Sequence, residues 1–586
     1  VPRELDEALL GPADAAAALD AAEREGIGAW STVDDVFELA PLARHVLRDE
    51  LHRTDPPREH ELLGRTAAWA LEHGDHAEGL RASILQRDYP TANRIVLGRW
   101  SELARTDSAR VTEIIADVPR GDLLRHPYLA LTAALCHYAM PGHRGRALEH
   151  LAILLAAVAR RFPRAEPGEK ALLLTVESVG LRLLGRGSRA AAVARRALAS
   201  LDAADPGAEP DVELVRPAMT MQLASSLFVD GGVEAALALA RTVDGDDRDP
   251  THDAAAQRTR VAFFAAVAGR VDEARDEIAL LLPDEDVAVA LGPYRAAAGS
   301  LARAVVALED LRADEAVRAL RGLDGEMETN EFWPVHAVVD TTAALVAGDV
   351  DGALAIVTRA RDRGSRRPVP VYWQQVHGAL HATVLLSAGR ADAATLQLRG
   401  LDRSHEAVRT ATARVRLAVG DAEGALEALG SAPPSAAGPA VDVDRRLLLA
   451  VATARLGHPD VAARELASAV GDPATTRLPW LLVPRKDRSL LADLAADAGP
   501  ELRDAVRALP DLPAVVPDHV DAVRLTEREH VVLQGLAQGL DGPELAELLE
   551  VSLHTVKSQS RTLYRKLGVR SRAEALVAAR RHGLLP

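Results

Sequence analysis

Little in this chain could form a disulfide, cross a bilayer or bind a nucleotide. Cys136 is the single cysteine, which excludes an internal disulfide framework and a Cys-based zinc site. No stretch reaches the roughly 18 apolar residues a membrane span needs. The longest candidate, 151–159, stops at Arg160-Arg161. The N-terminus lacks the charged-then-apolar order of a secretion signal. These absences lead to the expectation of a soluble protein of the reducing cytoplasm, with no membrane partner. Aromatic residues make up only 3%. That scarcity disfavours sandwiches and barrels, which draw on aromatic and β-branched side chains.

Lysine is rarer still. The four lysines, Lys170, Lys486, Lys557 and Lys566, follow Glu169, Arg485, Val556 and Arg565. A phosphate-binding loop needs a Gly-Lys-Ser/Thr step, so the chain carries no Walker A motif. His60-Glu61 and His405-Glu406 lack the second histidine of a zinc-protease helix, and no Gly-x-Ser-x-Gly elbow or Gly-x-Gly-x-x-Gly turn follows a strand. The expectation is a protein that is not an enzyme, with no catalytic residues, cofactor or metal. Trp333, Tyr372 and Trp373 stand at helix starts and are expected to pack in the core.

What is present is helical material. Hydrophobic residues reach 48%, with abundant alanine, over 586 residues. That length suits about four domains or one long repeat array. From about 56 to 507 a glycine recurs with an alanine five positions later. The pairs are Gly142/Ala147, Gly187/Ala192, Gly231/Ala236, Gly269/Ala274, Gly348/Ala353, Gly389/Ala394, Gly420/Ala425 and Gly457/Ala462, with Leu311/Ala316 keeping only the alanine. The intervals run from 31 to 45 residues. Glycine ends one helix in a left-handed cap, a polar residue starts the next, and alanine lets the two approach closely. Such pairs cannot bury their own apolar faces and must stack. The pattern resembles tetratricopeptide-like repeats, at spacings mostly longer than the standard of about 34 residues.

Residues 1–55 read as a small separate unit. A helix from Asp14 to Arg24 precedes two short strands within 27–39, joined by an Asp34-Asp35 turn, and a helix from Pro41 to about His52 follows. Helix, hairpin and helix resemble the winged-helix joint after the nucleotide-binding domain of large LuxR-type regulators, although Ala40 stands where that family usually has histidine. Pro510, Pro513 and Pro517 break the helical pattern over 508–523, and this segment is expected to be a semi-extended linker.

Residues 524–586 carry the strongest signal. Thr526/Glu529, Asp541/Glu544, Ser552 and Ser571/Glu574 are four helix-start signals, with Gly539, Gly568 and Gly583 as stops. Val531, Val532, Leu533 and Leu536, then Leu545, Ala546, Leu548 and Leu549, then Val556, Leu563 and Leu567 supply apolar faces. The chain's net charge is −16, yet residues 551–586 carry eight Lys/Arg against Glu574 alone, about +7 on the tail and −23 on the rest. A basic module on an acidic body is the footprint of nucleic-acid binding. Four capped helices with a basic third make a helix-turn-helix domain.

The residues Leu525-Thr-Glu-Arg-Glu529, Glu544-Leu-Ala546, Thr555-Val-Lys557, Tyr564-Arg-Lys-Leu-Gly568 and Ser571-Arg572 closely resemble the LuxR-type domain. The resemblance implies that Lys557, Ser558 and Arg561 face bases and phosphates in the major groove. It also implies that Thr555, Arg570 and Arg572 hold phosphates and that the fourth helix mediates dimerisation. Gln559, where the family usually has histidine, and Arg565 complete the expected DNA-facing set. Ser560 replaces a usually apolar residue and is expected to cost packing on the core side. The expected fold is mainly α, a tetratricopeptide-like solenoid between a winged-helix-like unit and a four-helix helix-turn-helix domain. The expected function is a sequence-specific transcriptional regulator acting on double-stranded DNA as a homodimer. An unknown protein or small-molecule effector would bind the solenoid, with RNA polymerase as a further partner. The alternatives are an interaction scaffold, or the non-catalytic half of an ATP-dependent LuxR-type activator whose nucleotide-binding domain lies before Val1.

Overall fold

A helix that ends on a residue in the left-handed region can turn back at once and bond its last free carbonyls to the turn. This device recurs throughout the computed structural model. The structure describes residues 3–585 except 11, 32–35, 107, 141, 206–209, 244–251, 282–292, 324, 326, 328–329, 367–368, 431–437, 472–476, 510–512, 514, 521–522, 524 and 583. Gly142, Gly231, Gly269, Gly348, Gly389, Gly420 and Gly457 have φ between 72° and 89°. The residue after the glycine closes the turn, as in Asp349 N donating to Ala344 O at 2.9 Å and Asp421 N to Arg416 O at 2.8 Å. Asp349 and Asp421 then start the next helix, accepting from Gly352 N at 2.8 Å and Gly424 N at 2.9 Å. Ala236, Ala274, Ala316, Ala353, Ala394, Ala425 and Ala462 are all 0% exposed, as the close helix approach requires.

The sequence pattern misplaces one repeat. Gly187 is the first residue of helix Gly187–Asp202, and the left-handed turn is made by Gly185 at φ 72°. The buried partner is therefore Ala190, fully buried, while Ala192 is exposed. Leu311 keeps the turn without glycine, at φ 61°, a conformation that costs an L-residue roughly 1–2 kcal/mol. An earlier repeat escapes the pattern because Gly74, at φ 76°, is followed five residues later by a buried glycine, Gly79.

The chain divides into two compact units, Val1–Leu184 with Ala192–Leu223, and Gly185–Ala191 with Ala224–Pro586. In the first, helices Arg3–Leu10 and Pro12–Arg24 lead into an antiparallel pair, β1 (Gly28–Trp30) and β2 (Phe37–Leu39), in register Gly28 to Leu39. Asp34-Asp35 lies outside the described residues, and helix Pro41–Thr54 follows β2. The helix Arg3–Leu10 was not expected. Helices α1 (Tyr89–Thr106), α2 (Pro127–Ala139) and α3 (Pro167–Leu183) share one apolar core with the start of α4 (Pro210–Val229).

In the second unit, helices His252–Ala268, Pro293–Glu309, Trp333–Val346, α5 (Val371–Ser387), α6 (Glu406–Ala418) after α5, and Pro439–Arg455 stack in succession, and each packs on the helix that follows it, which is shorter in every pair but that of Trp333–Val346. This is a helical-hairpin solenoid. Four of the six phenylalanines, Phe228, Phe263, Phe264 and Phe332, are at most 1% exposed and pack around Phe228 with Trp373, their ring centroids 4.9–5.7 Å from it. Trp333 is buried and Tyr372 half-buried, its ring closing over Gly231.

The described part of 513–523 is non-helical but packed. Val516 and Val520 join the core of α5 and α6, and Val520 N donates to Ala418 O at 3.3 Å. Arg488 Nη2 donates to Pro513 O at 2.9 Å, and Lys486 N to Asp518 Oδ1 at 2.8 Å.

The corrected repeat register is tested by a pair of substitutions. Ala190→Leu is expected to destabilise the protein by about 1–3 kcal/mol through overpacking, and Ala192→Leu to stay within about 0.5 kcal/mol. Denaturant unfolding measures both, and the reverse order would restore Gly187/Ala192 as the pair.

Candidate nucleic-acid interface

Each helix of the C-terminal domain starts on a side chain that satisfies free backbone N–H groups. Thr526 and Glu529 form a reciprocal capping box on α7 (Glu527–Ala537), and Asp541 and Glu544 form one on α8 (Gly542–Leu548). Ser552 Oγ accepts from Thr555 N at 3.1 Å to open α9 (Leu553–Lys566), and Ser571 Oγ accepts from Glu574 N at 3.2 Å to open α10 (Arg572–Arg581). Such caps stabilise by about 1 kcal/mol each. Gly539 and Gly568 make the left-handed stops, and Glu550 at φ 52° makes the turn between α8 and α9. Val532, Leu533, Leu545, Val556, Leu563, Ala575 and Ala579 form the core. Val531 and Ala546 are half-buried, while Leu548, expected inside, is 58% exposed.

That core fixes which side of α9 faces out. Lys557, Ser558, Arg561 and Arg565 are exposed along one face. Among the described residues, no carboxylate pairs with Lys557, Arg561 or Arg565. A cleft of about 670 Å³ runs beside this face, lined by Lys557, Ser560, Arg561, Tyr564, Arg565, Arg570 and Arg572, with Asp541 as its acid. Five cations thus share one concave wall. Thr555 is half-buried, its Oγ1 2.8 Å from Ser552 Oγ, at the N-terminal end of the helix.

Other expected site residues are placed differently. Gln559 lies on the inward side of α9, half-buried, with Oε1 buried and no donor to it among the described residues. Ser560, expected on the core side, lines the open cleft instead, so the packing cost assigned to it does not arise there. Ser560 and Tyr564 follow Lys557 and Arg561 by three positions, a spacing that already places them on the cleft side. Arg570 has an exposed side chain, and its N–H donates to Glu574 Oε2 at 3.0 Å. Arg572 is partly committed to the fold, since Nη2 donates to Leu536 O at 2.5 Å, capping the last turn of α7 with a cation. Lys566 Nζ donates to Glu529 Oε2 at 2.6 Å, and the same oxygen accepts from Thr526 N at 2.7 Å. Burial raises the Glu529 pKa, but Lys566 and Thr526 more than offset it and hold the carboxyl below its ordinary value.

The domain is also tied to the solenoid. Asp392, on helix α11 (Ala391–Arg399) of the repeat array, is 9% exposed and accepts from Val523 N at 2.7 Å through Oδ2. The same oxygen lies 4.0 Å from His582 Nδ1, just beyond α10. One carboxylate therefore touches both the entrance and the exit of the helix-turn-helix domain. Burial raises its pKa, partly offset by Val523 N–H and His582. Between the two bodies is a space of about 250 Å³ lined by Asp392, Arg399, Arg416, Leu525, His530 and Leu584 among others.

Residues 523–579 match the family model described as bacterial regulatory proteins of the luxR family. The transcriptional regulatory protein YdfI of Bacillus subtilis is 45% identical over 62 residues, 11% of this chain and 29% of that protein. The nitrate/nitrite response regulator protein NarP of Escherichia coli is 53% identical over 53 residues, 9% of this chain and 25% of that one. The transcriptional activator RamA of Corynebacterium glutamicum is 46% identical over 63 residues, 11% and 22%. The chain spans less than a third of the length of these relatives. The solved APC/C hetero-tetramer Cut9–Hcn1 aligns at 14% identity over 77% of this chain and 96% of that one, with a TM-score of 0.33, too low to carry an argument. The C-terminal segment is a LuxR-type helix-turn-helix domain.

Two measurements separate reading from scaffolding in this domain. Lys557→Ala with Arg561→Ala is expected to abolish gel-shift binding to duplexes selected with the parent protein, with the circular dichroism spectrum unchanged; retained specific binding sinks the assignment. Lys566→Met is expected to cost about 1–3 kcal/mol at neutral pH, read as faster hydrogen exchange over 553–566. The folded pKa of Glu529 lies below its unfolded value. Its stabilisation is therefore present above about pH 4.5 and lost as pH falls through the folded value. The difference between parent and variant should shrink in acid, and a pH-independent difference would refute the ion pair.

Proposed function

We propose that this protein is a sequence-specific DNA-binding transcriptional regulator whose helical solenoid senses an effector and governs the use of its C-terminal domain. The observation that carries this reading is the exposed face of α9, where Lys557, Ser558, Arg561 and Arg565 stand without carboxylate partners among the described residues. Short polar and basic side chains on a capped helix suit the major groove, with Arg and Lys matching guanine edges and phosphates. Arg570 and Thr555 flank that face and serve as phosphate contacts. Arg572 combines a cleft-facing position with its bond to Leu536, and Gln559 acts by positioning α9 from its inner side. Phosphate neutralisation makes such binding steeply salt-dependent. The body, near −23, repels non-specific DNA and leaves the basic tail as the attractive surface.

Two copies of the domain read an inverted repeat, with recognition helices about one DNA turn apart. Helix α10 supports this pairing, because Val577 is 64% exposed on its outer side. The Asp392 tie supports control by the solenoid, since any shift of α11 is felt at Val523 and His582 together. The protein acts in the cytoplasm, catalyses nothing and engages RNA polymerase from the operator.

Genome-wide DNA capture with the intact protein is expected to recover sites that share a two-fold symmetric motif. A set without any motif would leave a repeat scaffold as the better account. Asp392→Ala is expected to speed proteolysis between residues 509 and 525 several-fold while the variant still binds selected duplexes; unchanged cleavage would remove the tie.

A further inference from the structure

We propose that Glu309 is a proton-operated latch between two distant stretches of the repeat array, firm while its carboxyl is neutral and loosened once it ionises. The array of the second unit meets itself across long gaps in the sequence. A Cβ on Gly231 would run into the Tyr372 ring, and one on Gly438 would run into Ala268. A carboxyl makes a further contact of this kind. Glu309 ends helix Pro293–Glu309, and its Oε2 accepts from Arg477 N at 2.6 Å and Leu478 N at 3.3 Å, 168 and 169 positions on. The receiving segment is firmly seated, with Trp480 1% and Leu481 3% exposed.

The charge of that carboxyl is poorly supported. Three cations converge on the junction, and all are drawn to the neighbouring Asp310. Arg275, from helix Val271–Ala279, donates through Nη2 to Asp310 Oδ1 at 2.5 Å. Arg312, from the turn after Glu309, donates through Nη2 to Oδ2 at 2.7 Å, and Arg477 Nη1 of the distant segment lies 3.6 Å from Oδ1. Glu309 is 5% exposed and pairs with no cation among the described residues. A carboxylate buried in this way favours its neutral form. The two N–H groups share one oxygen, which leaves Oε1 for the proton, so the neutral acid keeps both bonds. Burial accordingly raises the Glu309 pKa to about 7. The N–H groups of Arg477 and Leu478 and the Arg477 charge offset part of that rise, and Asp310 adds to it.

Detached, the carboxyl titrates near its ordinary 4.5, and in the closed latch near 7. Closure is therefore favoured in full below about pH 4.5 and loses strength as pH rises to about 7. The latch also connects to the C-terminal domain. Its far side runs into helix Arg485–Ala498, where Lys486 N donates to Asp518 Oδ1 at 2.8 Å and Arg488 Nη2 to Pro513 O at 2.9 Å. These bonds hold the stretch that leads into the helix-turn-helix domain, so a looser latch reaches the domain through the backbone that carries it. This last step rests on the reading that the solenoid governs the domain.

Hydrogen exchange of the intact protein tests the latch. From about pH 5 to about pH 8, corrected for the intrinsic rate, protection over 477–484 is expected to fall about tenfold, while α5 keeps its protection. Glu309→Gln is permanently neutral and keeps an acceptor for both N–H groups. Its protection over 477–484 should stay at the acid level throughout. A parent without the fall, or a variant that falls equally, overturns the latch. The α5 signal reports whether the variant is folded, and the parent's own profile decides the matter if it is not. Gel shifts at about pH 8 separate the latch from its effect on the domain. Unequal DNA affinity of parent and variant, together with the expected profile, supports both. Equal affinity with that profile overturns the effect and leaves the latch standing. Unequal affinity without that profile overturns the latch and leaves control by the solenoid standing.

Discussion

Two helices pack at the closest separation only where nothing larger than a methyl group stands between them. The chain places an alanine of 0–1% exposure at that point in nine helical pairs, from Ala147 and Ala190 to Ala462. The left-handed turn five residues earlier sets when each helix reverses, and the alanine sets how near it returns. A pair made this way buries little of its own apolar surface, so each depends on its neighbours. The composition follows from this constraint. Small side chains dominate the repeats, and five of the large rings gather where Phe228 meets Phe263, Phe264, Phe332 and Trp373.

Because the constraint is local, most of the solenoid is legible in the sequence. It fails where another residue can take the turn or the contact. Gly185 and Gly187 both precede plausible alanines, and only the backbone decides between them. Gly79 takes the alanine's place in the first repeat. Leu311 makes the turn at a conformational cost that its repeat must absorb. The strands at 28–30 and 37–39 are legible from their alternation, whereas helix Arg3–Leu10 follows no pattern strong enough to stand out.

The helix-turn-helix domain divides along the same line. Its four caps are short-range bonds between residues three apart, and all four are visible in the sequence. The roles of Lys566 and Arg572 are not, because their partners Glu529 and Leu536 lie 37 and 36 positions away. A basic residue on a basic helix looks alike whether it faces phosphate or a buried carboxylate. Gln559 and Ser560 show the angular version of this limit, as one helical step separates the core from the cleft. The packing of Val516 and Val520 against the repeats is invisible for a related reason. Prolines reveal that a segment is not helical, but not what it lies against.

The rarity of lysine has a chemical consequence. Two of the chain's four amine side chains lie on α9, Lys557 on the exposed face and Lys566 on Glu529. Acylation neutralises lysine and leaves arginine untouched, so in this arginine-dominated protein half of its lysine targets are on one helix. Acyl transfer to Lys557 would erase a groove-facing charge, and transfer to Lys566 would loosen the strut between α9 and α7. The positive charge of the body, held almost entirely by guanidinium groups, would pass through the same chemistry unchanged.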